Sequence, residues 1–120
     1  MLMRLLRSAL QSRASSSSLV ARALELRRQG RLAEAEQTLR AALKEDPRDA
    51  GTATNLAVAL LEQDRADEAV KLLQHAIACD ARCAAAHFNY ANVLRASGML
   101  EHAIEHYRAC LLYTSDAADE

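Results

Sequence analysis

An alanine recurs at Ala35, Ala69 and Ala103, 34 residues apart each time, and the residues around it recur in step. A fixed period of this length marks a repeat array. Each unit is one supersecondary element that buries its apolar side only against its neighbours. A small residue at the same step of every unit marks a point where two helices approach too closely for a larger side chain. Near these alanines the apolar residues fall at helical spacing: Leu56, Ala59 and Leu60, then Leu72, Leu73, Ala76 and Ile77. No stretch shows a strand pattern, so the period predicts stacked helix pairs.

Stop and start signals place the helices. Gly30 and Gly98 stand where the first helix of a pair must end, and glycine tolerates the left-handed backbone such an end requires. Asp64 holds the same step in the middle unit and is a weaker terminator. Glu34, Glu68 and Glu101 fall in the first turn of each second helix, where the helix dipole favours a carboxylate. Pro47 closes the second helix of the first pair. Helices are expected near 18–29, 33–45, 50–63, 66–79, 84–97 and 100–112.

In register, the first unit reads Leu19, Arg22, Ala23, Leu26, then Ala35, Leu39, Ala42 and Pro47. The second reads Ala53, Leu56, Ala57, Leu60, then Ala69, Leu73, Ala76 and Ala81, and the third His87, Tyr90, Ala91, Leu94, then Ala103, Tyr107, Cys110 and Ser115. This pattern resembles the tetratricopeptide repeat over residues 16 to about 113. The resemblance implies an all-α fold, a right-handed superhelical array of antiparallel helix pairs with about three repeats. The units would span 16–49, 50–83 and 84–113, the last cut short. The chain departs from the pattern where Leu19, Ala53 and His87 replace a tryptophan, and where Arg22 takes an apolar slot, which makes the first unit a frayed cap.

Composition narrows the classes. At 120 residues there is room for one domain. Three tyrosines and one phenylalanine leave the core to Ala and Leu, both strong helix formers. A formal net charge of −1 argues against nucleic acid as a partner. No apolar run approaches the roughly 20 residues of a membrane span. Cys79, Cys83 and Cys110 form no disulfide framework and fit a reducing, intracellular compartment. His75, Cys79, Cys83 and His87 are four apart, a spacing that zinc ligands can use on one continuous helix. The turn expected at 81–83 breaks that alignment, so the cysteines read as small packed thiols and His87 as a packing residue. His102 and His106 read as a solvated face. No cofactor, metal or catalytic set is expected, and Gly30, Gly51 and Gly98 are too scattered for a phosphate loop.

The two ends differ from the repeats. Residues 1–15 carry Arg4, Arg7 and Arg13 and no acid, with Leu2, Leu5, Leu6, Ala9 and Leu10 on one helical face. An amphipathic, Arg- and Ser-rich, acid-poor segment describes a mitochondrial transit peptide over 1–14, and equally a helix capping the first repeat. The location expected is therefore cytoplasmic or mitochondrial. Ser16 to Ser18 would supply an N-cap to the first repeat helix. Residues 110–120 resemble the in-frame translation of a transposase-type sequencing adapter. The repeat pattern fails at Cys110 and Ser115, which implies an array interrupted there.

The function expected is binding. In the family this chain resembles, partner peptides lie along an inner groove lined by the first helix of each pair. By register, the first unit would contribute Val20, Leu24, Arg27 and Arg28, and the second Thr54, Asn55, Val58 and Leu61. The third would contribute Phe88, Asn89, Asn92 and Arg95. The contacts expected are Asn55, Val58, Phe88, Asn89, Asn92 and Arg95, and the partner a protein or extended peptide. Asn55 and Asn89 lie one period apart, and an amide both donates to and accepts from a peptide backbone. They are similar to the asparagine ladder of the O-linked N-acetylglucosamine transferase family, although Asn at this step also ties adjacent helices together. An alternative follows, in which the chain is the substrate-binding array of a larger glycosyltransferase. The subclass that grips acidic chaperone C-termini uses groove cations where this chain has Val20, Leu24 and Ala85. Artificial self-association through Leu100, Ile104 and Tyr107 of a last pair left uncapped by the interruption is a further expectation.

Overall fold

The computed structural model describes residues 2–118, and side-chain surroundings within residues 2–4 and 17–114. All regular structure among the described residues is helical. The chain resolves into two compact units, 1–47 and 48–120. The first contains α1 (Leu2–Arg28) and α2 (Leu32–Glu45). The second contains α3 (Ala50–Leu61), α4 (Ala66–Cys79), α5 (Ala84–Ala96) and α6 (Leu100–Ala118).

Each helix pair is folded back by the same device. Gly30 and Gly98 have φ of +81° and +82°, and Asp64 has φ of +60°. At each of these turns the residue after the left-handed one donates its backbone N–H five residues back. Arg31 reaches the Leu26 carbonyl at 2.9 Å, Arg65 the Leu60 carbonyl at 3.0 Å and Met99 the Leu94 carbonyl at 2.9 Å. These bonds satisfy carbonyls that the helix end leaves open and turn the chain within three residues.

The first unit is a two-helix hairpin, with Ala23 and Leu26 of α1 buried alongside Ala35, Leu39 and Ala42 of α2. Arg22 is exposed. In the second unit α3 packs on α4, α4 on α5, α5 on α6, and α3 also meets α5. Leu56, Leu60 and Leu73 fill its interior, and Ala53, Ala57, Ala69, Ala76, Ala86 and Ala91 are fully enclosed between them. Burying a leucine of this kind contributes about 1.5–3 kcal/mol. The alanines matter for what they omit, since they allow the helices to close on one another. Asp49 caps α3, its carboxylate accepting from the Thr52 N–H at 3.2 Å.

Four of the six helices lie within two residues of their expected limits. The other two run longer. α1 begins at Leu2 instead of near 18, so Ser16–Ser18 do not start it, and α6 continues to Ala118 instead of ending near 112. The amphipathic face expected of Leu5, Leu6, Ala9 and Leu10 falls on side chains outside those described, as does Ser115. No helix among the described residues is long and apolar enough to cross a membrane.

Candidate functional site

α5 brings the largest share of the expected groove residues to the surface of the second unit. Phe88 is 47% exposed, which is unusual for the single phenylalanine of a chain whose core lacks aromatic residues. Its ring stands edge-on to Tyr107 of α6, centroids 6.2 Å apart at 64°. This is a favoured aromatic geometry and fixes the ring without burying it. One turn further along α5, Asn92 accepts a hydrogen bond from the Tyr107 hydroxyl. Tyr107 therefore steadies two neighbouring residues of α5 at once. At the same repeat step, Leu39 and Leu73 are buried within their own units. Only the tyrosine reaches far enough to leave the core and bond to the surface of α5.

Asn89 is half-buried, and its Nδ2 donates to the Ala85 carbonyl at 2.8 Å. One N–H is thereby committed to its own helix, and the side-chain oxygen keeps its acceptor capacity. Arg95 is exposed at the end of α5. On α3, Asn55, Val58 and Leu61 are half-buried. Thr54 corrects the expectation for that helix. It is 3% exposed, donates to the Ala50 carbonyl at 2.8 Å and lies 3.9 Å from the Cys83 sulfur. A threonine's short side chain, at a step that faces α5, packs between the helices and does not reach solvent. In the first unit Leu24 is 40% exposed, Val20 is half-buried, and Arg28 pairs with Glu25 at 2.6 Å.

The site expectation lacked Tyr107 as a supporting residue, although its signal was present: a tyrosine where the repeat elsewhere has leucine, fifteen residues after an asparagine. The histidines also sort differently from the sequence expectation. His87 is buried as a packing residue, but His106 is half-buried against it and does not share a solvated face with exposed His102. His75 lies 3.5 Å from the Cys79 sulfur on α4, while His87 turns to other partners. Among the described residues no three His, Cys, Asp or Glu side chains gather as metal ligands would.

Comparison with known proteins agrees with this architecture. A tetratricopeptide repeat profile matches residues 26–87 and a second one matches 84–116. Among solved structures the chain is similar to the second TPR of Spaghetti (RPAP3) bound to the HSP90 peptide SRMEEVD. The identity is 20%, the coverage is 89% of this chain and 98% of that one, and the TM-score is 0.81. It is also similar to the Arabidopsis OM64 TPR domain, at 16% identity, with 88% and 87% covered and a TM-score of 0.81. The Yersinia enterocolitica type III secretion translocator chaperone SycD matches at 17% identity, with 85% and 77% covered and a TM-score of 0.78. At such identities the likeness is one of fold. No curated protein matches the sequence.

Proposed function

This chain belongs to the tetratricopeptide repeat family, and from that premise we propose that it is a scaffold module whose second unit holds an extended segment of a partner protein. The observation that carries this reading is Phe88. It is a half-exposed aromatic ring, braced by Tyr107 and flanked by Asn89, Asn92 and Arg95 along one helix. A pre-positioned aromatic anchor loses little freedom on binding, and adjacent amides satisfy a peptide backbone without demanding a particular sequence. Asn55 and Val58 of α3 would extend the contact. The SRMEEVD complexes of two Spaghetti repeats support peptide binding as a use to which this fold is put. The alternative, an array belonging to a larger glycosyltransferase, finds no support in the similar structures named above.

Joint replacement of Phe88 and Asn89 by alanine is the direct test. Partner segments are first captured by cross-linking and identified by mass spectrometry, and affinities are then measured on the synthetic peptide. Loss of about tenfold or more in affinity, with an unchanged helical circular dichroism spectrum, is expected. Unchanged affinity sinks the assignment. Val20, Leu24 and Ala85 offer no cation to an acidic terminus. The SRMEEVD peptide is therefore expected to bind at least tenfold more weakly than the captured partner segment, as read by fluorescence anisotropy.

A further inference from the structure

The third repeat contains a polar contact that the second repeat lacks. His87 of α5 and His106 of α6 stack with centroids 5.1 Å apart, and their Nδ1 atoms lie 2.9 Å from each other. One period earlier the same two steps are held by Ala53 and Leu72. Two apolar side chains have thus been replaced by a pair of imidazoles in direct hydrogen-bond contact between the two helices of one pair.

The tautomers follow from the surroundings. His87 Nε2 lies 2.8 Å from the Ala81 carbonyl oxygen, which only accepts, so His87 Nε2 carries the hydrogen. A neutral His87 then has a lone pair at Nδ1, and His106 must donate its Nδ1–H to it. Protonating His106 at Nε2 leaves this bond standing. Protonating His87 as well fills the last lone pair and sets two N–H groups and two positive charges against each other at 2.9 Å.

We propose that the His87–His106 contact is a pH-sensitive latch between α5 and α6, closed at neutral pH and forced open when both rings are protonated. The groups around the pair do little to neutralise a double charge. Tyr90 of α5 stands edge-on to His106 at 4.7 Å, and its hydroxyl accepts from the neutral Gln74 amide of α4 at 3.1 Å. From α6 itself come Glu105 and His102, of opposite effect. Tyr113 lies 5.7 Å from His87 and carries the Arg82 guanidinium over its ring at 5.8 Å, adding positive charge to that side. Burial first, then the neighbouring His87, hold His106 below the ordinary imidazole range; Glu105 opposes them and His102 adds to them. The unfolded chain thus takes up the proton first, at about pH 6.5, and stability falls as the pH drops through that value towards the lower folded one. Well above about pH 6.5 His106 is unprotonated in both states and the contact contributes in full.

The internal repeat supplies the control. In the full chain, His106→Leu restores the residue of the preceding repeat, and His106→Gln keeps a donor to His87 but does not titrate. Thermal unfolding at about pH 7.5 and about pH 5 is expected to show the wild-type melting temperature falling by about 4 °C more than that of either variant. Proton NMR should show the His106 ring resonances titrating below the ordinary imidazole range. Equal falls in all three proteins, or a His106 ring that titrates in the ordinary imidazole range, overturn the latch. So does a rise in the wild-type melting temperature with zinc chloride at neutral pH that His106→Leu abolishes, since the pair would then be a metal chelate.

Discussion

Gly30, Asp64 and Gly98 perform one task with two residue types, and the difference is measurable. All three have positive φ, and nothing lies within 4 Å of where a Cβ would project from Gly30 or Gly98. An added methyl there meets no neighbour, so the cost of Gly30→Ala or Gly98→Ala is the backbone's own. About 1 kcal/mol of destabilisation is expected from urea titration. Asp64→Gly should gain about 0.5 kcal/mol by the same measurement, less than the reverse because Asp visits this region more easily than Ala. These stops were legible from sequence because backbone conformation is encoded by the residue that adopts it. The environments of His106 and Tyr107 were not legible in that way. A spacing of four shows that His102 and His106 share a side of their own helix, and says nothing of the ring on α5 that meets one of them. Tyr107→Phe tests the contact between α6 and Asn92 of α5. Losing the hydroxyl that Asn92 accepts from should cost about 0.5–1.5 kcal/mol and loosen Phe88, read as increased solvent exchange of α5 amides.

The helices were read best where the chain names its own ends. α2 to α5 lie between stop and start signals, and expected and observed limits nearly coincide. α1 has no proline or glycine before Gly30, and α6 has none after Gly98. Serine is only mildly unfavourable inside a helix, so Ser15 to Ser18 did not interrupt α1 as a cap would. The repeat period predicts where a unit should end, while termination itself requires a residue that cannot continue. The second-helix alanines illustrate the packing side of the same encoding. Ala35 and Ala69 are fully buried and Ala103 is 2% exposed. Ala69→Leu inserts three carbons between closely approaching helices and should cost about 1–3 kcal/mol, seen as a lower urea midpoint with helical content retained. Capping differs between equivalent helices. Asp49 caps α3, whereas Cys83, one period later, makes no side-chain cap bond to α5. Cys83→Asp should stabilise by about 0.5–1 kcal/mol, and Asp49→Ala should lose about as much.

For the whole chain, the weak overall charge sets solution behaviour. A formal net charge of −1 and an isoelectric point near 6.4 leave little electrostatic repulsion between copies at neutral pH. Exposed apolar side chains then decide whether copies meet. Leu100 and Ile104 are 57% and 48% exposed one turn apart on α6, with Met99 beside them at 46%. In the preceding repeat the step of Ile104 is held by Val70, half-buried in a unit where α5 packs on α4. Self-association is therefore expected to rise with concentration and to be strongest near the isoelectric point. Ile104→Lys places a charge in the centre of this stripe and shifts the isoelectric point upward. Static light scattering at pH values on either side of about 6.4 should show a smaller apparent mass for the variant at every concentration. The His87–His106 latch separates the two sources of pH dependence: its opening grows steadily on acidification, whereas charge-limited association peaks and then declines. An apparent mass that Ile104→Lys leaves unchanged would place the contact elsewhere on the surface and remove α6 from consideration.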